Sequence, residues 1–228
     1  MQKTSQENLL NIVKTNYEEA AEEFDRSRQG LVWPELDRLA GVVAPYMSVL
    51  DIGCGNGRLL NSLPVRAENY LGVDLSANLI VLAKNNYPNH NFLVADVLDL
   101  GKIEIGQFDF IFAIAMLHHL PGQDLQVETL DILADKLSLG GTMVVSVQNF
   151  WAKKKYRVAL LKATLRKLIG LNHDDFGDIV FTGFHSNSKR YYHAFTMCGL
   201  KKISRKANLR IVKLYKDKFN YYLILRKD

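Results

Sequence analysis

The chain is poor in cysteine and has no long apolar run. Cys54 and Cys198 are the only cysteines among 228 residues, and they form neither a C-x-x-C pair nor a repeated spacing. This excludes a disulfide framework and a cysteine-based zinc site, and it favours a reducing, cytoplasmic setting. No apolar run approaches the roughly 18 residues of a membrane span, and the N-terminus lacks the basic-then-apolar order of a signal peptide. We therefore expect a soluble, cytoplasmic protein.

Repeats, low-complexity tracts and flexible linkers are also absent, and no spacing of histidines and carboxylates predicts a metal site. At 228 residues and 48% hydrophobic content, the chain is long enough to bury one sizeable core. We expect a single domain without a bound metal.

A glycine-rich loop is the most informative segment. Residues 49–58 read VLDIGCGNGR, an apolar strand followed by glycine at every second position. Glycine allows left-handed backbone and close approach of a ligand, so such a loop binds a cofactor. We expect a helix after the loop, whose first amides would face an anionic group of the ligand. The alternative is a strand-to-helix connection without a ligand.

The loop lacks the sixth-position glycine of the dinucleotide fingerprint, where Arg58 stands instead. Asp51, just before the loop, is placed to bind an ammonium group, which S-adenosylmethionine has and a dinucleotide lacks. Asp74 closes a second apolar run about 20 residues on, where a carboxylate meets ribose hydroxyls. Asp96 closes a third run and suits an adenine amino group. Three strand ends thus each supply one carboxylate to the same crevice.

Residues 46–148 resemble the class I S-adenosylmethionine-dependent methyltransferases. The segment 108–119 matches the strand that faces the methionine part of the cofactor in that family, and 137–145 matches its glycine turn into the next strand. The resemblance implies an α/β, Rossmann-like fold with a seven-stranded, mostly parallel sheet and helices on both faces. It implies these cofactor-binding residues: Asp51, Gly53, Gly55, Gly57, Asp74, Leu75, Asp96, Val97, Ala113 and Ala115.

Apolar periodicity predicts helices over 6–24, 33–43, 76–86 and 124–137, alternating after the loop with short strands. Ser76 is expected to cap its helix. The last strand, over 219–226, is the antiparallel one in the family. We divide the domain into an N-terminal helical cap (1–45), a cofactor-binding core (46–149), a helical insertion over the active site (150–187), and a final helix and strands (188–228).

The insertion begins with a basic amphipathic helix over 151–169. It suits a solvated surface helix, a polyanion-binding face or a membrane-surface helix. Its apolar residues Leu160, Leu161, Leu165 and Leu168 would equally serve a packed lid. A net charge of +5 and a pI near 9.1 favour an RNA over a neutral small molecule. Further cations near the C-terminus are Lys201, Lys202, Arg205, Lys206 and Arg210.

Several segments outside the core resemble the eukaryotic methyltransferases that esterify 5-carboxymethyluridine at the tRNA wobble position, including the domain fused to an AlkB-type hydroxylase. They are 24–34, 114–120, 188–193 with its Arg-Tyr-Tyr-His run, and 221–227. The chain departs from that family at 121–123 and 147–150. The resemblance implies tRNA as substrate and a small zinc-binding activator protein as partner.

This resemblance also implies the acceptor-site residues. Arg28 and Arg190 would orient a carboxylate, while His118 and Tyr192 would hydrogen-bond it or the uracil. By composition alone, Arg28 suits an exposed turn, Arg190 suits a surface helix, and one of His118 and His119 suits packing. Three aromatic residues would stack a base or pack in the core or lid: Trp33, Phe150 and Trp151.

We therefore predict a methyltransferase that esterifies a carboxymethyl group on wobble uridine by in-line transfer to a carboxylate oxygen. One alternative is a small-molecule O- or N-methyltransferase with the insertion as its lid. Another is a non-catalytic cofactor-binding scaffold.

Overall fold

The computed structural model describes residues 3–28, 33–168, 175–182 and 189–227. A seven-stranded sheet in the order β3-β2-β1-β4-β5-β9-β8 forms its centre. Strands β1 to β5 run parallel, whereas β9 is antiparallel to β5 and β8 is antiparallel to β9. The strands are β1 (Val49–Ile52), β2 (Tyr70–Asp74), β3 (Asn91–Val94), β4 (Phe108–Ile114), β5 (Leu137–Gln148), β8 (Leu209–Lys216) and β9 (Asn220–Lys227).

Helices cover both faces of this sheet. Leucines of α5 (Gln123–Asp135) and α7 (Met197–Lys206) pack on one face against β1, β4, β5 and β9. Leu36 and Leu39 of α3 (Pro34–Ala40) and Leu59 of a 3₁₀ turn pack on the other face. The predicted doubly wound, seven-stranded sheet is thereby confirmed. The helices are α1 (Lys3–Glu19), α2 (Ala21–Arg28), α3 (Pro34–Ala40), α4 (Ala77–Asn86), α5 (Gln123–Asp135), α6 (Lys154–Leu168) and α7 (Met197–Lys206).

Residues 3–28 and 33–45 form three helices rather than the two predicted. The expected helix over 6–24 is divided at Ala20 into α1 and α2. The backbone amide of Ala20 still donates to the carbonyl of Asn16 (3.1 Å), and that of Phe24 donates to Ala20 (2.8 Å). Hydrogen bonding therefore continues across the break. The third helix, α3, begins with Pro34, whose fixed φ suits the first helical position.

The prediction of a helix after the glycine loop is wrong. One short 3₁₀ turn, Arg58–Asn61, follows the loop instead. Pro64 lies three residues beyond this turn, has no amide hydrogen, and disfavours helical backbone at Leu63. An α-helix over this segment would therefore end almost as soon as it began, and the loop has no helix N-terminus to offer a ligand.

Ser76 caps α4 as predicted, since its hydroxyl oxygen accepts a hydrogen bond from the amide of Leu79 (3.2 Å). A second, two-stranded antiparallel sheet of β6 (Asp178–Thr182) and β7 (Lys189–His193) was not predicted. The insertion segment thus contributes a strand as well as α6, and Arg190 lies on a strand instead of a helix. Within the described residues, no helix has both the length and the apolar character needed to cross a membrane.

Candidate active site

The glycine loop follows β1 and bends sharply at the carboxyl end of the sheet. Gly53 and Gly55 have φ angles of +68° and +57°, which side-chain-bearing residues rarely adopt. A Cβ atom on Gly53 would lie 2.9 Å from the Met116 side chain, and one on Gly55 would lie 3.1 Å from the Phe24 ring. Both positions therefore require glycine, and Met116 and Phe24 mark the two sides of the loop. Gly57 has a φ of +78°.

Asp51 lies one residue before the end of β1 and is buried. The Tyr70 hydroxyl donates a hydrogen bond to its Oδ2 at 2.9 Å. Burial raises the pKa of Asp51 to about 7, and the nearby Asp74 carboxylate adds to this, while the Tyr70 hydrogen bond opposes it. A cation would favour the ionised carboxylate. This environment fits the ammonium group that the sequence assigns to Asp51.

The second predicted acid, Asp74, holds the loop in place. Its Oδ2 accepts a hydrogen bond from the Gly55 amide (2.9 Å) and its Oδ1 accepts one from the Ser76 amide (2.9 Å). Burial raises the pKa of Asp74 in spite of these two donors. Leu75 lies between the carboxylate and the capping residue of α4. Asp74 therefore ties the glycine loop to the next helix.

The third acid, Asp96, follows β3 and is half-buried. Its Oδ1 accepts a hydrogen bond from the Leu98 amide at 3.0 Å, which caps the 3₁₀ turn Val97–Lys102. Because β3, β2 and β1 are adjacent and parallel, their carboxyl ends lie side by side, and so do Asp96, Asp74 and Asp51. The glycine-rich loop and this row of acids fit an adenosyl donor that carries an ammonium group.

The carboxyl end of β4 is strained at Ala115. This residue has a φ of +56°, one of two positive values among the described non-glycine residues. Its amide donates to the carbonyl (3.0 Å) and the hydroxyl (3.1 Å) of Ser146 on β5. Ala113, one residue before the end of β4, is buried in the core. Positive φ at such a residue is typical of functional sites, and no sequence signal indicated it.

The N-terminal helices lie over the loop. Phe24 contacts Gly55, and the side-chain amide Nδ2 of Asn56 donates to the buried carboxylate of Asp25 at 2.8 Å. The Ser76 hydroxyl donates to Glu18 of α1 at 2.5 Å. Arg28 is the last residue of α2, but its side chain lies outside the described part of the chain. The cap therefore closes the loop through residues that the sequence analysis did not single out.

His118 and Tyr192, two predicted acceptor-site residues, meet beside this end of β4. Their ring centroids are 5.6 Å apart. His118 is buried, its Nδ1 accepts a hydrogen bond from the Gln148 amide at 3.4 Å, and burial lowers its pKa well below the usual range. The imidazole is therefore neutral at pH 7. Four more aromatic rings complete this aromatic cluster: His119, Phe150, Tyr156 and Phe181.

Arg190 lies on the same face of β7 as Tyr192, two residues away. It is half-buried, and its positive charge acts to lower the pKa of Tyr156, although burial outweighs this and keeps that pKa raised. The Nε atom of Arg190 is buried and has no hydrogen-bond partner among the described residues. The structure thus brings three of the four predicted acceptor-site residues together.

Tyr17 is a site residue that the sequence analysis missed. Its hydroxyl lies 2.8 Å from Nε2 of His119, and the two rings are edge-on at 5.1 Å. This contact joins α1 to the aromatic cluster across 102 residues of sequence. Asn149 was also missed; it is buried beside Phe150, and its Oδ1 has no partner among the described residues.

The three aromatic residues considered for base stacking differ in position. Phe150 is fully buried inside the aromatic cluster. Trp33 lies under the Arg58 guanidinium, 4.7 Å from the ring centroid. Trp151 is partly exposed, and its indole NH donates to the carbonyl of Phe195 at 2.9 Å. Packing explains Phe150, and Trp151 is the more accessible of the two that follow β5.

The sequence profile of a family described as "Methyltransferase domain" matches residues 49–141, which run from β1 into β5. This match and the relatives support a methyltransferase that uses S-adenosylmethionine. The predicted methyl donor class is thereby confirmed. A solved S-adenosylmethionine-dependent methyltransferase from Methanosarcina mazei has the same fold: TM-score 0.68, 17% identity, 86% of this chain and 98% of that chain covered.

Two curated relatives of this methyltransferase domain act on tRNA according to their names. The chain is 34% identical over 131 residues to "tRNA (carboxymethyluridine(34)-5-O)-methyltransferase" of Saccharomyces cerevisiae, covering 57% of this chain and 45% of that protein. It is 31% identical over 140 residues to the mouse protein of the same name, ALKBH8, covering 61% and 20%. The chain thus spans less than half the length of either relative.

In the described residues, no cluster of three or more metal-ligating side chains occurs.

Proposed function

We propose that this methyltransferase domain acts on tRNA and methyl-esterifies a carboxymethyl group on a wobble uridine. The observation that carries the proposal is the half-buried Arg190, whose Nε lacks a described partner, beside Tyr192 and the neutral His118. A planar guanidinium next to aromatic rings suits an acceptor that combines a carboxylate with a pyrimidine ring. The names of the yeast and mouse relatives support the same acceptor.

The neutral state of His118 agrees with a carboxylate acceptor. A carboxylate is already ionised at neutral pH, so its oxygen needs no general base before it attacks. When bound, S-adenosylmethionine supplies an electrophilic methyl group on a sulfonium. Arg190 orients the acceptor oxygen, and Tyr192 and His118 fix the ring plane. The cap helices contact the glycine loop through Phe24 and Asp25 and would hold it in place while the donor is bound, since transfer depends on positioning.

In that displacement, the bond between oxygen and methyl carbon would form as the bond between methyl carbon and sulfur breaks, with the bonding electron pair left on sulfur. The products would be a neutral ester and S-adenosylhomocysteine. No proton has to be removed from the acceptor. Asp51 would bind the donor ammonium throughout the reaction, because that group does not change charge.

A polyanionic substrate agrees with the distribution of cations. Lys201, Lys202, Arg205 and Lys206 are all exposed on α7, and the whole chain carries a net charge of +5. Such surfaces bind phosphate backbones through salt-dependent attraction. Binding of tRNA in the cytoplasm is therefore part of the proposal.

We also propose that activity requires a small zinc-binding activator protein, by resemblance to the wobble-uridine family. The support from the structure is that β3 forms one edge of the central sheet, with only β2 as its neighbour among the described strands. An exposed edge strand is a template for pairing with another chain. Full methyl transfer by the chain alone, as a monodisperse monomer, would contradict this requirement.

Transfer of label from a methyl-labelled donor tests the acceptor class. The purified chain, with and without the activator, is incubated with bulk tRNA or with small carboxylates and phenols. We expect label in tRNA only. Label in a small molecule but not in tRNA would show that the domain is a small-molecule methyltransferase. Tight donor binding without transfer to any acceptor would indicate a non-catalytic scaffold.

A further inference from the structure

Helix α6 carries a row of apolar residues on its solvent side. Val158, Leu161, Leu165 and Leu168 are 45%, 61%, 53% and 68% exposed. Leu160 points the opposite way and is 3% exposed, so the four leucines considered for one packed face lie on two different faces. The spacing of the exposed row, three, four and three residues, is that of the a and d positions of a heptad.

This row is not needed to hold α6 on the domain. The inward side of the helix already packs through Leu160, Tyr156 and Ala159 against Phe150 and Ile179. One exposed leucine on a surface helix needs no explanation, whereas an aligned row marks an interaction surface. We call Val158, Leu161, Leu165 and Leu168 the α6 seam.

The charges beside the α6 seam all have one sign. Lys155, Arg157 and Lys162 are exposed and occupy the flanking e and g positions of the same heptad. The helix sequence from Lys154 to Leu168 contains no aspartate or glutamate. A complementary surface must therefore be apolar along its centre and acidic along its edges.

The seam geometry discriminates among possible occupants. A second copy of the chain would place cations against cations, which coiled coils use to prevent self-pairing. At about 100° per residue, the seam spans about 80°, which is narrower than the broad apolar face of a membrane-surface helix. An RNA would engage the cations but would leave the leucines in water. A single helix with a matching narrow seam satisfies both the apolar row and the charges.

We propose that the α6 seam docks an amphipathic helix of another protein, with apolar residues at its a and d positions and aspartate or glutamate at e and g. This interaction goes beyond methyl transfer and uses none of the residues placed in the donor or acceptor site. It occupies the outer side of the insertion, whereas the inner side supplies Tyr156 to the aromatic cluster.

The test uses a fluorescent three-heptad peptide with leucine at a and d and glutamate at e and g, measured by fluorescence anisotropy against the full chain. The matched control peptide carries lysine at e and g. We expect binding of the acidic peptide only, weakened by salt. The double variant Leu161→Ser/Leu165→Ser should bind at least tenfold more weakly. Leu139→Ser, at a leucine that is 91% exposed on β5, should bind like the wild type.

Thermal melting and donor binding of both variants confirm that the fold is intact, and they separate this proposal from the proposed function. The proposal is refuted if the wild type fails to bind the acidic peptide, or if it binds both peptides equally. It is also refuted if the double variant retains full affinity. If the wild type binds neither peptide, other losses in the double variant identify the occupant of the α6 seam. Loss of phosphatidylserine-vesicle binding would assign the seam to a membrane surface, and loss of tRNA binding would assign it to RNA. Loss of a wild-type dimer would assign it to a second copy of the chain.

Discussion

The buried carboxyl group of Asp51 should make the stability of the donor-free protein depend on pH, and Asp51→Asn should remove that dependence. Burial raises the pKa of this group from 3.8 to about 7. Between these values the folded protein retains a proton that the unfolded chain releases. The contribution of Asp51 to the free energy of unfolding therefore falls as the pH rises through this window, and it is constant above it.

The size of the effect follows from the shift. A shift of about 3 pKa units corresponds to about 4 kcal/mol, at about 1.4 kcal/mol per unit. Roughly 3 kcal/mol of this total falls between pH 5 and pH 8, because the remainder is already lost below pH 5. Asparagine carries no titrating proton, and its carbonyl oxygen still accepts the hydrogen bond from Tyr70.

Urea unfolding of the donor-free wild type and of Asp51→Asn at pH 5 and pH 8 measures this contribution. Subtracting the free energy of unfolding of the variant from that of the wild type cancels the contributions of other titrating groups. From pH 5 to pH 8, this difference should shift by about 3 kcal/mol in favour of the variant. Asp99→Asn, at an exposed carboxylate, is the control and should follow the wild type. Parallel pH curves for the wild type and Asp51→Asn would refute the burial argument.

Three further predictions concern binding and transfer. Calorimetry should show that the affinity of the wild type for the donor rises between pH 5 and pH 8 as Asp51 ionises. At pH 8, Asp51→Asn should bind the donor about tenfold more weakly than the wild type. Equal affinities of the two proteins at pH 8 would contradict the ammonium assignment. Arg190→Ala should reduce methyl transfer by about tenfold or more but leave donor affinity unchanged, while Lys189→Ala, on the opposite face of β7, should preserve both. Tyr17→Phe removes the hydrogen bond to Nε2 of His119 but keeps the ring contact, and it should slow transfer severalfold at saturating donor. An unchanged rate would show that this hydrogen bond does not orient the cluster.

The glycine loop and the row of acids were predictable because their signals are local. Glycine at alternate positions and an acid at the end of each apolar run are visible in short stretches, and parallel strands necessarily bring their carboxyl ends to one edge. The loop pattern alone predicts a helix where the structure has a 3₁₀ turn, and Pro64 is the residue that disfavours the helix. The resemblance predicts Ala115 as a cofactor-binding residue, but its positive φ could not be predicted, because it accompanies hydrogen bonds to Ser146 on β5.

The acceptor side was less predictable because it is built from distant contacts. The Tyr17 to His119 pair spans 102 residues, and no periodicity points to it. The hairpin of β6 and β7 is short, and its two strands leave little alternation to detect. For α6, the periodicity predicted a helix, but which apolar residues face inward depends on Phe150 and Ile179 in the folded domain.

Mass spectrometry of nucleosides tests the central claim most directly. Transfer RNA that carries 5-carboxymethyluridine at the wobble position is incubated with the chain, the proposed zinc-binding activator protein and S-adenosylmethionine, then digested to nucleosides. We predict that the carboxymethyl nucleoside is converted to its methyl ester, and that Arg190→Ala slows this conversion. Methylation at any other nucleoside, with the carboxymethyl group unchanged, would contradict the account.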